Sequence, residues 1–150
     1  MFLEENLSMT SPSARHDLQS YTKRIFTRMK DGANALLKKL SMHKYESQHE
    51  LFKTILEYYD HFVNHICLIA FDNMFDGANF ARRGTALEIL TLMHEVFKLN
   101  DPPSWLNLKK SLTATSAECL YFMLYDSFEN NKEKALNILK CLPPQLLGKF

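Results

Sequence analysis

Two stretches of this sequence share one pattern, and that pattern constrains the fold more than any other feature. The first is Arg83-Gly-Thr-Ala-Leu-Glu-Ile-Leu90, and the second, forty-nine residues later, is Lys132-Glu-Lys-Ala-Leu-Asn-Ile-Leu139. In both, a basic residue stands three positions before an alanine, and Leu, Ile and Leu follow at the same offsets. An aromatic-Asp pair precedes each copy, at Phe71-Asp72 and Tyr125-Asp126. The chain therefore repeats one structural unit.

The period of this repeat predicts the fold class. A period near fifty is close to the roughly 40 to 47 residues of HEAT and armadillo units, whose paired helices bury their apolar faces only against a neighbouring pair. The sequence has only four glycines and five prolines, too few for the many turns of an all-β fold. We therefore predict an all-α chain, specifically a HEAT/armadillo-like α-solenoid segment of antiparallel helical pairs.

The spacing of apolar residues divides the chain into a short N-terminal stretch and one helical segment. Residues 1–10 show no clear period and are predicted to be flexible. Residues 11–150 are predicted to form a single helical-repeat segment. Its helices are expected near 12–40, 48–75, 79–98, 116–128 and 131–142.

Local signals predict where several of these helices begin and end. Ser47-x-x-Glu50 has the spacing of a capping box, and Asn79 is suited to the N-cap of the next helix. Gly77 lies between these two helices and is predicted to end the first of them. Glycine accepts the left-handed backbone conformation in which many helices end. Glu129-Asn130-Asn131 is predicted to be a tight polar turn before the last helix.

Composition favours a soluble protein of a reducing compartment. The three cysteines, Cys67, Cys119 and Cys141, are odd in number and far apart. The N-terminus, Met-Phe-Leu-Glu-Glu-Asn, lacks the basic and apolar regions of a secretory signal. The most apolar stretch, Phe62 to Phe71, is shorter than the roughly 20 residues that span a bilayer. We predict a cytoplasmic location and no membrane insertion.

The charge is unevenly distributed although the net charge is only +1. Residues 14–44 hold eight basic and two acidic residues, a local charge of +6, so the rest of the chain is acidic on balance. Such a basic stretch is typical of a surface that faces RNA or an acidic partner, and solvated helix faces have the same composition. The sequence leaves these alternatives open.

The sequence does not favour catalysis or a cofactor. His61 and His65 lie four apart on one helix, with Glu57 one turn earlier, a spacing that could hold a zinc ion. The glutamate that metalloproteases place between such histidines is missing, and no third ligand has convincing spacing. Cys67 lies on a different side of the helix from His65, and no glycine-rich phosphate loop is present. We expect no catalytic residue, no cofactor and no bound metal.

The paired arginines that open the first copy are candidate contact residues. Arg82 and Arg83 stand at a helix start, where one of them is expected to pair with Asp72 or Asp76 in a ladder between helices. Lys132 is expected to pair with Asp126 in the same way. The other arginine would be available for RNA phosphate, which the guanidinium fork matches well.

A second group of candidates follows Pro102-Pro103. Trp105 precedes Lys109 and Lys110, and a loop tryptophan beside basic residues could stack on an exposed base. The alternative is that Trp105 covers the edge of the helical core. Arg82, Arg83, Trp105, Lys109 and Lys110 are thus the predicted contacts with RNA or a partner protein.

Two segments of the chain together resemble the THADA (thyroid-adenoma-associated) family. They are Phe75-Asp-Gly-Ala-Asn-Phe-Ala-Arg-Arg-Gly-Thr-Ala-Leu-Glu-Ile-Leu90 and Tyr125-Asp-Ser-Phe-Glu129, the latter followed by Ala135-Leu136. The family pattern has Pro-Gly-Ala-x-x-x-Arg-Arg-x-x-Ala-Leu and then Asp-Ser-[Phe/Tyr]-[Glu/Asp]. This chain departs from it at Asp76, where proline is usual, and at Asn131-Lys132, where a Val-Arg pair is usual. The resemblance covers residues 51–142.

The resemblance implies a function and a set of partners. It implies a noncatalytic helical-repeat scaffold that supports 2′-O-methylation of the ribose at tRNA position 32, with an FtsJ-type methyltransferase carrying the S-adenosylmethionine and the catalytic residues. Direct tRNA contact is possible in that arrangement, and the chain would be a fragment or short product flanked by further repeats. The alternative is a helical-repeat module for protein–protein interaction with no RNA role, and a small metal enzyme around His61 and His65 is a third hypothesis.

Overall fold

The computed structural model describes residues 12–74 and 78–148, and every regular element in them is helical. The α-helices are α1 (Pro12–Leu40), α2 (His49–Asp72), α3 (Phe80–Phe97), α4 (Ala114–Met123), α5 (Glu129–Lys140) and α6 (Pro144–Leu147). Two 3₁₀ helices, His43–Gln48 and Leu108–Lys110, precede α2 and α4. The prediction of an all-α chain is confirmed. Within the described residues, no helix is both long and apolar enough to span a membrane.

Three of the helices, α1, α3 and α5, run parallel to one another in a row. Lys23 Nζ of α1 lies 3.3 Å from Glu95 Oε2 of α3, and the rings of Phe26 and Phe97 meet edge to face with centroids 5.4 Å apart. The pairing residues advance together along both helices, so α1 and α3 share one direction. The two copies of the repeated pattern, which lie in α3 and α5, are thus neighbours in one row.

The contacts between α3 and α5 also join residues that advance together along both helices, so these two helices are parallel as well. The rings of Phe80 and Phe128 stack with centroids 4.3 Å apart, and Lys134 Nζ lies 2.6 Å from Glu88 Oε1 further along both helices. Asn131 Nδ2 donates to the Phe80 carbonyl oxygen at 3.3 Å. A methyl group at Gly84 would lie 3.0 Å from Asn131 Oδ1, so glycine is what lets the two helices approach this closely.

The helices α2 and α4 form the second row, and α2 runs opposite to α1. Gly32 in the second half of α1 faces Tyr59 in the first half of α2, which follows after a short connection, and this is an antiparallel arrangement. The segment before α4 is fixed to α2 by Asp60, whose carboxylate accepts the Asn107 N–H at 2.7 Å and pairs with the Lys110 ammonium.

The core lies between the two rows. It contains the largest fully buried apolar side chains of the described residues, which come from α1 to α4 and the loop after α3: Phe26, Val63, Cys67, Leu87, Ile89, Leu90, Met93, Phe97, Leu99 and Leu120. Burying a side chain of this size contributes about 1.5 to 3 kcal/mol to folding. The helix α5 adds Ala135, Ile138 and Leu139 to the same core. One continuous core therefore joins the successive helical pairs, as a solenoid requires.

One predicted helix-start signal is wrong and another is confirmed. The capping box at Ser47 and Glu50 does not form, because Ser47 lies inside a 3₁₀ helix that continues directly into α2, whose N-cap Gln48 makes no side-chain cap bond. The true capping box is Thr113 with Ser116, at the start of α4. Asn79 caps α3 as predicted, accepting the Arg82 N–H at 2.8 Å.

The turn between the last two long helices is also displaced. The predicted helix over 116–128 ends at Met123, and Glu129 to Asn131 form the first turn of α5 rather than a polar turn before it. The reason is Asp126. Its Oδ1 accepts the Phe128 N–H at 2.8 Å, so the turn closes at Phe128, three residues before the predicted end of the turn at Asn131. Gly77 lies outside the described residues, and the division at residue 10 stays a prediction.

Candidate functional site

Arg83, the first predicted contact residue, forms an ion pair with Asp126 in the corner between α4 and α5. Its Nε lies 2.7 Å from Asp126 Oδ2, its Nη2 lies 3.4 Å from Oδ1, and its Nη1 donates to the Ala78 carbonyl oxygen. The side chains of Arg83 and Asp126 are only 13% and 2% exposed, so the pair is largely withdrawn from water.

The electrostatics of this pair favour the ionised carboxylate. Burial acts to raise the pKa of Asp126, but the hydrogen bonds from Arg83 and the Phe128 N–H, together with the guanidinium charge, lower that pKa below its ordinary value. The guanidinium of Arg83 is therefore used within the chain, where it joins α3 to the α4–α5 corner.

Of the predicted partners of the basic residues, that of Lys132 is wrong. Arg83 pairs with Asp126 and not with Asp72, which lies exposed at the end of α2. Asp76 is outside the described residues, so a pair between one of the arginines and Asp76 stays a prediction. Lys132 pairs with Glu129, at 3.5 Å on the same helix, and not with Asp126. The cause is the parallel packing of α3 and α5, which brings the first turn of α3 beside the loop before α5. The ion pair joins successive repeats, because Arg83 at the start of one copy contacts Asp126 just before the next copy.

Arg82 lies in the same helical turn. It is half-buried, and its backbone N–H donates to the Asn79 side chain that caps α3. The backbone of Arg82 thus helps to fix the start of α3.

Trp105 packs against the core at the other end of α3. Its ring meets Phe97 edge to face at a centroid distance of 5.7 Å, and it meets Tyr59 of α2 at 6.2 Å. The side chain is half-buried, and its Nε1 is buried with no hydrogen-bond partner among the described residues. Its contacts are those of a residue that covers the end of the helical pair.

The two lysines after Trp105 differ in their surroundings. Lys110 pairs with the buried Asp60, whose carboxylate also accepts the Asn107 N–H, and these two contacts fix the loop to α2; Asn64 of α2 donates to the same carboxylate. Lys109 is exposed, and its backbone N–H donates to Asn107 Oδ1 at 3.2 Å, while its side chain pairs with no described residue. Lys109 therefore presents its charge to solvent.

The five predicted contact residues do not form one patch. Arg82 and Arg83 lie in the first turn of α3, whereas Trp105, Lys109 and Lys110 follow its last turn. Trp105 packs against Phe97, fifteen residues after Arg82, and an α-helix rises 1.5 Å per residue, so about 22 Å of α3 separates these positions. A ligand that contacts both groups must be a macromolecule.

The residues considered for chemistry occupy separate places. Among the described residues, no group of three or more His, Cys, Asp or Glu side chains is placed to hold a metal ion. His61 and His65 both line an open groove between α1 and α2. Cys67 is buried beside Ser111, and burial raises the pKa of its thiol to about 11, which leaves it unreactive at neutral pH.

The groove between α1 and α2 is the surface that residue-by-residue inspection of the sequence missed. Its apolar lining includes Met29 and Phe62, and the exposed arginines Arg24 and Arg28 lie beside it on α1. The local charge of +6 over 14–44 was the available signal. It did not distinguish the arginines of this edge from lysines such as Lys23, which pairs with Glu95 on the opposite flank of α1.

Comparison with known proteins gives a consistent family assignment. The profile of the family described as Trm732, TPR repeats, matches residues 1–115. TPR units, like HEAT and armadillo units, are paired-helix repeats. No solved structure gives a significant match.

Curated relatives carry the name that the sequence resemblance predicted. The tRNA (32-2′-O)-methyltransferase regulator THADA of Canis lupus familiaris is 29% identical over 149 residues, which is 95% of this chain and 8% of the relative. The protein of the same name from Homo sapiens is 34% identical over 101 residues, 64% of this chain and 5% of the relative. That of Mus musculus is 28% identical over 159 residues, 99% and 8% respectively. The chain thus spans less than a tenth of the length of these relatives.

Proposed function

Because the chain belongs to the Trm732 TPR-repeat family, we propose that it is a noncatalytic helical-repeat scaffold supporting 2′-O-methylation of the ribose at tRNA position 32 by an FtsJ-type methyltransferase. The observation that carries this proposal is the similarity to named regulators of that methylation over 95% of the chain. The proposed partners are the methyltransferase, tRNA and flanking repeats of a longer chain, and the proposed location is the cytoplasm.

The fold supports a role in positioning macromolecules. Two rows of helices share one continuous core, so the surface residues of α1, α3 and α5 are held at fixed spacing. Arg82 lies in the first turn of α3 and Trp105 packs against its last residue, a separation that matches the scale of a folded RNA rather than of a small substrate. In this proposal the enzyme supplies the chemistry, and the helical stack orients tRNA relative to it.

The proposal is tested by removing the full-length protein from its own cells. We expect the 2′-O-methyl mark at tRNA position 32 to fall strongly while 2′-O-methylation at other tRNA positions is unchanged, measured by mass spectrometry of nuclease-digested tRNA. Re-expression of the intact protein serves as the control and should restore the mark. Unchanged methylation at position 32 would reject the proposal.

A second candidate function is protein–protein interaction without RNA binding. The observation that favours it is the use of basic side chains inside the chain: Arg83 pairs with Asp126, Lys110 with Asp60 and Lys134 with Glu88. These pairs leave fewer cations for a phosphate backbone than the sequence suggests.

Binding of purified tRNA separates the two functions. If the chain contacts tRNA, the affinity falls as salt rises, and Lys109→Ala or Arg82→Ala weakens binding and lowers the salt slope by about one. Lys53→Ala is the matched control, because Lys53 is an exposed lysine paired with Glu50 on α2. Absence of salt-dependent binding would favour the second function.

A further inference from the structure

Among the residues that the structure describes, an open apolar groove runs along the edge of the stack formed by α1 and α2. Its volume is about 530 Å³. Ile25 and Met29 of α1 form one wall, and Tyr58, Tyr59 and Phe62 of α2 form the other. An apolar surface that remains open to solvent on a folded domain is typical of a binding site.

The apolar strip continues along α2 beyond the groove itself. Leu51, Tyr58 and Phe62 are 58%, 67% and 37% exposed. Their spacing of seven and four residues places them on one face of the helix. From Leu51 to His65 the strip measures about 21 Å at 1.5 Å per residue, which is the length of a helix of four turns.

Hydrogen-bonding and basic side chains flank the groove on both sides. On α1, Arg24 and Arg28 are exposed, stand one turn apart beside Ile25 and Met29, and form no ion pair with a described residue. On α2, His61 and His65 are exposed and also stand one turn apart. Asp31 lies one turn beyond Arg28 on α1, and Glu57 lies one turn before His61, so the arginine side of the groove keeps a positive balance.

We propose that the α1–α2 groove binds an acidic amphipathic helix of a partner protein. The apolar floor accepts leucine-like side chains at i, i+3, i+4 and i+7, as helix-binding grooves do, and Arg24 and Arg28 meet carboxylates on the flank of that helix. Helices that enter such a groove pack their side chains between those of α1 and α2.

The lining favours a helix over single-stranded RNA. Of the described residues that line the groove, none is a lysine or an arginine, whereas a groove that binds single-stranded nucleic acid is itself positively charged along the path of the backbone. Arg24 and Arg28 are exposed next to Ile25 and Met29 in the sequence of α1 and lie outside the lining, where they can meet carboxylates on the flank of a bound helix. This inference does not depend on the proposed function, because it specifies only a surface and the chemistry of its occupant.

Fluorescence anisotropy with the purified 150-residue chain tests the proposal. The probe is a labelled peptide of roughly 15 residues with leucine at the i, i+3, i+4 and i+7 spacing and glutamate at the flanking positions. A second peptide replaces every glutamate by lysine, and a single-stranded RNA of similar length is the third probe. We expect the acidic peptide to bind at least about tenfold more tightly than the basic peptide, and its affinity to fall as salt rises.

Variants assign the binding to this groove. Arg24→Ala with Arg28→Ala should weaken binding of the acidic peptide about fivefold or more, and Phe62→Ser about tenfold, because an aromatic residue at the centre of an interface carries much of the binding energy. Lys23→Ala, on the opposite flank of α1, should leave the affinity unchanged. Circular dichroism of each variant confirms that it is folded.

Three results would overturn the proposal. They are failure of the wild-type chain to bind the acidic peptide, equal binding of the acidic and basic peptides, and displacement of the acidic peptide by RNA at a lower concentration than the unlabelled peptide requires. Equal loss of affinity in Lys23→Ala and in the arginine double variant would also contradict it. None of these outcomes bears on methylation of tRNA, so failure here is distinguishable from failure of the proposed function.

Discussion

The two copies of the repeated pattern have the same apolar residues but different surroundings. In α3, Leu87 is fully buried, whereas the equivalent Leu136 of α5 is 42% exposed. The difference follows from position in the row: α3 packs between α1 and α5, while α5 has α3 on one side and no other described helix of the row beyond it. A repeat therefore specifies which residues face a neighbour, and the neighbour decides whether they are buried.

The basic residues that open the two copies differ in the same way. Arg83 reaches the next helical pair and forms a buried ion pair with Asp126, whereas Lys132 pairs with Glu129 of its own helix at side-chain exposures of 38% and 87%. The first copy joins two repeats, and the second only supports its own helix. Four measurements can sharpen or break this comparison.

The largest difference is expected between Leu87→Ala and Leu136→Ala. Because Leu87 is fully buried, its truncation leaves a cavity and should lower the free energy of unfolding by about 3 to 5 kcal/mol. Leu136→Ala should cost less than about 1 kcal/mol, since much of that side chain is already in water. Urea denaturation followed by circular dichroism measures both. Similar costs at the two positions would show that the copies are equivalent after all.

The next difference concerns the ion pairs. Arg83→Ala leaves the buried carboxylate of Asp126 without its partner and should cost about 3 kcal/mol. Lys132→Ala removes only an exposed pair within one helix and should change stability by about 0.5 kcal/mol or less. The double variant Arg83→Ala with Asp126→Ala, measured by the same denaturation, should cost less than the two single changes together. Strict additivity would argue against a coupled pair.

Acid should lower the stability of the chain mainly through Asp126, the ion-pair partner of Arg83 in the first copy. The pKa of Asp126 is lower in the folded chain than its ordinary value, so its stabilising contribution is complete above that value, about 3.8, and is lost as the pH falls through the folded pKa. Arg83→Met should therefore flatten the acid limb of a stability–pH curve, and Lys132→Met should leave its slope unchanged. Thermal melts between about pH 2.5 and 6 check this. An unaltered acid limb in Arg83→Met would show that other carboxylates govern it.

The smallest effect is expected at the ends of the two helices. Lys98, which follows α3, has φ of 63°, a conformation that favours glycine, whereas Cys141 after α5 has φ of −97°. Lys98→Gly should raise stability by about 1 kcal/mol or less. Cys141→Gly should lower it, because glycine offers no advantage there and a half-buried side chain is lost. Differential scanning calorimetry resolves both, and a loss of stability in Lys98→Gly would contradict the argument.

Much of the fold was predictable because the apolar spacing is local. Ala86, Leu87, Ile89 and Leu90 of the first copy recur in the second at helical spacing, and all four are buried. The exposure of Leu136 was not predictable in this way, because it depends on a neighbour far away in sequence. The early end of α4 has a local cause that apolar spacing does not reveal, since the Asp126 side chain accepts the Phe128 N–H and closes that turn.

The site was less predictable than the fold. One of Arg82 and Arg83 could be recognised as a ladder residue, but the partner of Arg83 lies forty-three residues away, and only the parallel packing of α3 and α5 brings the two together. The α1–α2 groove could not be recognised, because Ile25, Met29 and Phe62 have the spacing of ordinary core residues. Sequence periodicity identifies an apolar face but does not reveal whether another helix covers it.

The parallel row of α1, α3 and α5 has an electrostatic consequence. Each helix carries a dipole with its negative end at the C-terminus, and three parallel dipoles place their like ends along the same edge of the stack instead of cancelling. Lysines lie at these negative ends: Lys38 and Lys39 in the last turn of α1, Lys98 directly after α3, and Lys140 in the last turn of α5. Part of the positive charge in this chain thus compensates the direction of its helices, and only the remainder is left for a partner.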